Sequence, residues 1–379
     1  MIYFDAAATT LQKPDTVRRA AASAIGSMSS PGRGGHPAAR RAEETAFLCR
    51  SEAAELFGAK KPENVIFTCN ATHALNIAIR SLVQSGSRVV ISGYEHNAVT
   101  RTLHAIPGIT VTVVDAPLFR PDEAAEQFER AISQGADAVI CNHVSNVFGY
   151  ILPIERIARS CRSRGVPLIV DASQSAGVVP LGLDELGAAF LAMPGHKGLY
   201  GPQGTGLLIS GLDDVQPVLF GGTGSASRRQ DMPEDLPDRL EAGTHNMPGI
   251  AGLLEGIRFV RRTGVEKISH HERQLVLQAG QLLKQIPGIR VFTAEDPSCQ
   301  AGVLSFTAER RDCEELGAAL AQRGIAVRAG LHCAPLAHRT AGTLETGTVR
   351  LSFSVFNTPA QVQLFAGQLR QILRENVTL

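Results

Sequence analysis

The sequence predicts an α/β fold: a large domain on a mostly parallel, seven-stranded sheet with helices on both faces, followed by a smaller α+β domain. Three observations carry this. Seven apolar runs of strand length alternate with helical or loop segments over about 200 residues, the pattern of a parallel sheet covered on both sides. Two of those runs end on chemistry. Leu168-Ile169-Val170 delivers Asp171 at a strand's carboxyl end, and Phe190-Leu191-Ala192-Met193 stops at Pro194-Gly195, with Lys197 next in a glycine-rich turn. Beyond residue 248 the pattern turns to longer helices and a few short strands.

In chain order, residues 1–12 give a short apolar strand signal and then Ala6-Ala7-Ala8-Thr9-Thr10, small enough for close backbone approach. Apolar residues at 39, 42, 46, 49, 53 and 56 have the period of an amphipathic helix, which Gly58 is placed to end. A strand at Val65–Thr68 leads to a second helical pattern through Leu75, Ala78, Ile79 and Leu82, stopping at Gly86. Thr72 stands near its N-cap, where free N–H groups hold a phosphate or simply a cap. Strand signals follow at 88–92, 110–114, 138–142, 168–171, 189–193 and 206–210. Residues 211–248 are a long irregular stretch, of the kind that is usually functional or disordered. Helices are expected over 249–260, 265–285 and 312–323, and strands over 290–292 and 302–306. The domains are therefore 13–248 and 249–379, the latter with 1–12.

Charge and composition exclude several classes. The 37 Lys and Arg balance 36 Asp and Glu, so nothing electrostatic favours nucleic acid or an anionic membrane. No apolar run approaches the roughly 20 residues of a membrane span, and the N-terminus lacks a signal-peptide pattern. Seven scattered cysteines without C-x-x-C spacing suit a reducing cytoplasm, not a disulfide frame. His332, Cys333 and His338 lack an evident fourth ligand for a metal site.

Asp171 and Lys197 together make a sharper case. A lysine between two core strands needs a partner for its amine, because burying an unpaired ammonium is costly. A strand-end carboxylate and a lysine 26 positions later are what pyridoxal 5'-phosphate (PLP) requires: the lysine forms the Schiff base and the carboxylate keeps the pyridine nitrogen protonated. Other strand ends carry Glu95-His96-Asn97 and His143-Val144-Ser145-Asn146, which puts His96 and Asn146 at the same sheet edge. Cys333 lies in a Gly- and Pro-flanked loop near Arg328 and His332, which are expected to favour its thiolate.

Taken together, these blocks resemble the class V, fold-type I PLP enzymes, in the cysteine desulfurase and selenocysteine lyase branch. The resemblance runs from Asp5-Ala6-Ala7-Ala8-Thr9-Thr10 to Arg350-Leu351-Ser352-Phe353 and beyond, with the motifs in the same order. It implies Lys197 as the Schiff-base lysine, Asp171 at the pyridine nitrogen, His96 stacked on the ring, and Gln174 and Asn146 near the ring oxygen. Phosphate contacts would come from Ala71, Thr72 and His196, with Thr244 reaching in from a second subunit of a homodimer. Arg350, joined by Asn146, would hold the substrate carboxylate, and Cys333 would accept sulfur.

The expected activity is conversion of L-cysteine to alanine with a persulfide on Cys333, for passage to a sulfur-acceptor protein. The alternatives are a selenocysteine lyase, or a class V aminotransferase or epimerase in which Cys333 is incidental. Three positions depart from the family pattern. Pro194 replaces a serine that bonds the phosphate, Leu331 a histidine, and Ala6 an asparagine.

Overall fold

The computed structural model describes residues 1–32 and 34–375. The first half runs β1 (Ile2–Tyr3), α1 (Asp15–Ser27), α2 (Pro37–Phe57), β2 (Val65–Thr68), α3 (Ala71–Leu82), β3 (Arg88–Ser92), α4 (Asn97–His104), β4 (Thr110–Val114), α5 (Pro121–Ser133), β5 (Ala138–Asn142), α6 (Ile154–Arg164) and β6 (Leu168–Asp171). It continues with α7 (Leu183–Leu186), β7 (Phe190–Pro194), β8 (Gly206–Ser210), α8 (Met247–Thr263), α9 (Val265–Lys284), β9 (Ile289–Phe292), β10 (Val303–Ala308) and α10 (Cys313–Gln322). Last come β11 (Ile325–Ala326), β12 (Arg328–Gly330), α11 (Pro335–Ala341), β13 (Thr348–Ser352) and α12 (Pro359–Glu375).

The expected seven-stranded sheet is present, in the order β2-β8-β7-β6-β5-β3-β4. Only β8 runs against its neighbours; the remaining pairs are parallel. Strands β5 to β8 are buried at every residue, which is why they read as continuous apolar runs instead of alternating ones. Alternate side chains serve opposite faces. Val139, Val170, Leu191 and Ile209 pack with Phe57, Phe128, Ile157 and Leu253 on one side. Ile140, Ile169, Ala192 and Leu208 pack with Leu75, Ile79, Val99 and Leu103 on the other.

The second sheet is antiparallel, β12-β13-β10-β9. Its core joins Leu304, Phe306, Val349 and Leu351 to Leu275, Leu316 and Phe365 of the helices. The N-terminus belongs here in space. β1 pairs in parallel with β11, and Phe4 sits edge-on to Phe353 at 5.0 Å. Helix α8 packs on the large sheet. Its Met247, Ile250, Leu253 and Ile257 belong to the large-sheet core, and α1 packs along it.

Asn70 caps α3, its side-chain oxygen accepting the His73 N–H at 2.9 Å, which leaves Thr72 near the N-cap as expected. One local expectation is corrected: the helix ends at Leu82, before Gly86, which sits instead in a turn at φ +88°. Helix α1 had no clear signal; it is rich in alanine and buries only Val17 and Ala24, so its apolar stripe is too narrow to read.

The connections fix where a ligand sits. β3 leads outward to β4, while β5, β6 and β7 step the opposite way. The reversal between β3 and β5 opens a crevice at the strands' carboxyl ends, the usual ligand position in such sheets.

Candidate active site

That crevice is a cavity lined by Asn70, Ala71, Thr72, His96, Asn146, Asp171, Gln174, Pro194, His196 and Lys197, among others. Eight residues singled out from the sequence for the site are thus brought together. Asp171 ends β6, paired with Asn142 on one side and Ala192 on the other. Its Oδ1 accepts the Ser173 N–H at 2.9 Å, which fixes the carboxylate. Lys197 follows β7 in a turn pressed onto the segment after Asp171. A Cβ on Gly198 would lie 2.4 Å from the Ala176 carbonyl, and one on Gly177 (φ +79°) 2.5 Å from the Gly198 carbonyl. Both positions must be glycine for the two turns to touch backbone to backbone.

Burial lowers the Lys197 amine to about 8, with Asp171 pulling the other way and Arg350 and Arg328 adding to the fall. About a tenth of it is then neutral at pH 7. Burial also lowers His96, against the pull of Asp171. Its Nδ1 accepts the Ala98 N–H at 3.0 Å, so the neutral ring carries its proton on Nε2. His196 is lowered to about 4 by burial, reinforced by Lys197 and Lys13. Its carbonyl accepts from Thr10 N at 3.1 Å and Lys13 Nζ at 2.9 Å, tying the N-terminal segment to the Lys197 turn.

The residues present fit PLP. Ala71 and Thr72 open a twelve-residue helix, and their N–H groups have no intrahelical acceptor, which favours an anion such as phosphate. Among the described residues, His196 Nδ1 and Asn146 Oδ1 are buried without a partner, as sites for a ligand's polar atoms would be. Pro194 closes β7 and lines the cavity, offering no side-chain donor where the family commonly has one. Gln174 donates to the Ala7 carbonyl at 3.0 Å.

Three predicted residues lie outside that lining. Arg350, on β13, is 2% exposed and already engaged, donating to Asp5 Oδ1 at 2.8 Å and to the Asn146 carbonyl at 2.9 Å. Among the described residues its Nε has no partner. Asp5 was part of a motif noted in the sequence, but nothing local linked it to a residue 345 positions away. Thr244 is exposed and lines a different groove with Phe67, His73 and His245.

Cys333 is exposed, and its loop is tied to the cavity rim. Its carbonyl accepts the Asn97 N–H at 2.8 Å, and Asn146 Nδ2 donates to the His332 carbonyl at 2.8 Å. His332 and Cys333 both adopt left-handed backbone, φ +51° and +56°. The expected aid from His332 to the thiolate is corrected here. Its ring is buried against Thr348, 3.0 Å from Oγ1, and stacks on His338. Burial, with Arg350 adding, holds it well below the ordinary histidine range, so it is uncharged at neutral pH. Among the described residues no group of three or more His, Cys, Asp or Glu is disposed to hold a metal.

The fold and this site define a class. The profile of the Aminotransferase class-V family matches residues 2–365, and the chain belongs to that family. Within it, the chain is 34% identical to a probable cysteine desulfurase of Mycolicibacterium paratuberculosis over 98% of its length, though it spans only 55% of that relative. It is 31% identical to a probable cysteine desulfurase of Methanothermobacter thermautotrophicus, covering 98% of this chain and 94% of the relative. Its structure is similar to the apo cysteine desulfurase of Thermococcus onnurineus, with a TM-score of 0.89, 30% identity and coverage of 99% and 95% of the two chains.

Proposed function

We propose that the chain is a PLP-dependent cysteine desulfurase that converts L-cysteine to L-alanine and takes the sulfur onto Cys333. The supporting observation is a rim that joins two chemistries: Asn97 and Asn146 tether the Cys333 loop to the cavity holding Lys197 and Asp171. PLP, when bound, supplies an electron sink conjugated to the substrate Cα. The amides of Ala71 and Thr72, with His196, would hold its phosphate, and Asp171 would keep its ring nitrogen protonated. His96 would stack on the ring and offer Nε2–H to the ring oxygen or the substrate thiol. Gln174 and Asn146 would lie near that oxygen.

Lys197 is the covalent attachment point and, once free, the base at Cα. With its amine near 8, it both accepts and returns a proton near neutral pH. Arg350 directs its unused N–H groups, Nε–H among them, at the substrate carboxylate, with Asp5 holding the guanidinium in place. The Cys333 thiolate then attacks the substrate sulfur. An S–S bond forms as the Cβ–S bond breaks, and the released electron pair stays with carbon, which takes up a proton. The net change is Cys333–SH plus L-cysteine to Cys333–S–SH plus L-alanine. An exposed Cys333 also suits hand-over to an acceptor protein. The division into units 13–248 and 249–379 with 1–12, a homodimer in which Thr244 completes the partner's phosphate site, and a cytoplasmic setting for seven free thiols belong to the same reading.

Cys333→Ser tests it. A hydroxyl cannot form a persulfide, so the variant keeps its cofactor spectrum and Cα-proton exchange but loses sulfide and alanine production from cysteine. Retained release of selenium from selenocysteine would mark a selenocysteine lyase, whose C–Se bond breaks more readily. Full turnover of cysteine by the variant would refute the desulfurase mechanism and favour a transaminase or eliminase.

A further inference from the structure

Glu95 sits directly before His96, is fully buried at 0% exposure, and has no part in the chemistry above. Its Oε1 lies 2.7 Å from Ser92 Oγ and accepts the Asn142 N–H at 2.8 Å. Ser92 Oγ is also 2.6 Å from Asn142 Oδ1, and it accepts the Tyr94 N–H at 3.1 Å. The Asn142 amide can sit only one way round. Its Nδ2 donates to the Tyr94 carbonyl at 2.9 Å, and the reversed amide would set two carbonyl oxygens against each other.

Asn142 Oδ1 is therefore the atom facing Ser92, and as a pure acceptor it must take the single hydroxyl proton of Ser92. The contact between Ser92 Oγ and Glu95 Oε1 then needs a proton from Glu95, because O···O distances of this length are hydrogen bonds, not lone-pair contacts. With that proton Ser92 makes one donation and two acceptances, the full capacity of a hydroxyl. An acid oxygen, unlike a carboxylate, can donate to Ser92 while accepting from Asn142.

We propose that Glu95 is a positioning residue working as a neutral carboxylic acid: its proton closes the buried chain Glu95→Ser92→Asn142, which locks the ends of β3 and β5 and leaves Asp171 the one buried anion at the neighbouring strand end. Asn142 is the register partner of Asp171, so the chain reaches the carboxylate through one ladder position. The titratable groups facing Glu95 are Asp171 on β6, which opposes a second negative charge, and Cys141 on β5, a thiol that burial and the nearby carboxyls keep neutral. Burial, with Asp171 adding, raises Glu95 to about 8, against the contact it shares with Ser92 and the N–H it accepts from Asn142. Its Oε2 is buried without a partner among the described residues, a tolerable state for an acid carbonyl and a costly one for an anion. The service to Asp171 and His96 rests on the proposed function; the protonation of Glu95 does not.

Infrared spectroscopy of the cofactor-loaded full chain, with carbon-13 carboxyl-labelled glutamate at neutral pH, tests the proton directly. Glu272 is a second buried carboxyl raised to about 8, and Glu272→Gln identifies its band. A further protonated-carboxyl band should vanish in Glu95→Gln and move to higher frequency in Ser92→Ala, where the acid loses its acceptor. If neither variant alters that region, Glu95 is ionised and the proposal fails. Ser92→Ala decides alone if Glu95→Gln does not fold.

The positioning role has its own readouts. Removing a neutral acid shifts the pH midpoint of the cofactor absorbance by less than about 0.3 unit, whereas a fall of about one unit would mean a buried anion had been removed. Cysteine turnover in Glu95→Gln should show kcat down about tenfold with KM unchanged, and an unchanged kcat overturns the role. Should the desulfurase reading itself fail, the infrared result still stands.

Discussion

Replacing Arg50 by methionine should destabilise the protein strongly, and more at neutral than at acidic pH. Arg50, on α2, grips Glu241 with both arms of its guanidinium, at 2.8 and 2.6 Å. Glu241 is 7% exposed and also accepts the Phe67 N–H at 2.6 Å, with His245 Nε2 at 2.6 Å from its other oxygen. Arg50 further donates to the Val65 carbonyl and stacks 4.1 Å above Phe67. Methionine fills much of the volume but leaves a buried carboxylate without its cation, which costs about 3–5 kcal/mol. Unfolding entropy near 2.1 cal/mol/K per residue gives about 0.8 kcal/mol/K for a chain of this length, so Tm should fall by about 4–6 °C.

The pH dependence follows from Glu241. In the wild type burial raises it, but Arg50 and His245 outweigh burial and hold it below the ordinary glutamate range. A lowered folded-state value means the pair's stabilisation is present above the unfolded pKa of about 4.5 and is lost as pH falls through the folded one. Without Arg50 the burial contribution dominates, Glu241 rises, and the variant recovers stability by protonating it. Calorimetry from pH 8 to pH 5 should therefore show the Tm gap between wild type and Arg50→Met narrowing. Glu241→Gln added to that background should recover much of the loss. A drop under about 1 °C, or a gap that does not narrow, would put this pair with exposed ion pairs of little worth and refute the reasoning.

Borohydride reduction followed by peptide mapping should place a pyridoxyl group on Lys197; an adduct on Lys267 or Lys284 instead would remove the basis for the site. Gly256→Ala should cost about 1–3 kcal/mol by overpacking, since a Cβ there would lie 2.2 Å from the Leu199 carbonyl and force α8 off the Lys197 turn; a thermal scan matching wild type would contradict that packing. Sedimentation should find a homodimer, because Thr244 is exposed and outside the cavity of its own chain; a monomer that retains PLP and turns over cysteine would disprove the composite site.

What the sequence determined by itself is the large sheet and its two reactive strand ends. Strands covered on both faces must be apolar throughout, so the runs ending at Asp171 and before Lys197 show in the chain without any knowledge of neighbours. Helix α2 was equally legible from its period and from Gly58, which sits left-handed at φ +62°. Polar pairing was not. Arg50 and Glu241 are 191 positions apart, and Asp5 and Arg350 are 345 apart. The order in which strands cross, and nothing in either local segment, brings each pair together. The inward turn of His332 and the proton on Glu95 depend likewise on which acceptors surround them. Apolar patterning is a local property repeated along one element, whereas the partner of a buried charge is chosen by the assembled fold, and only the tertiary structure decided it.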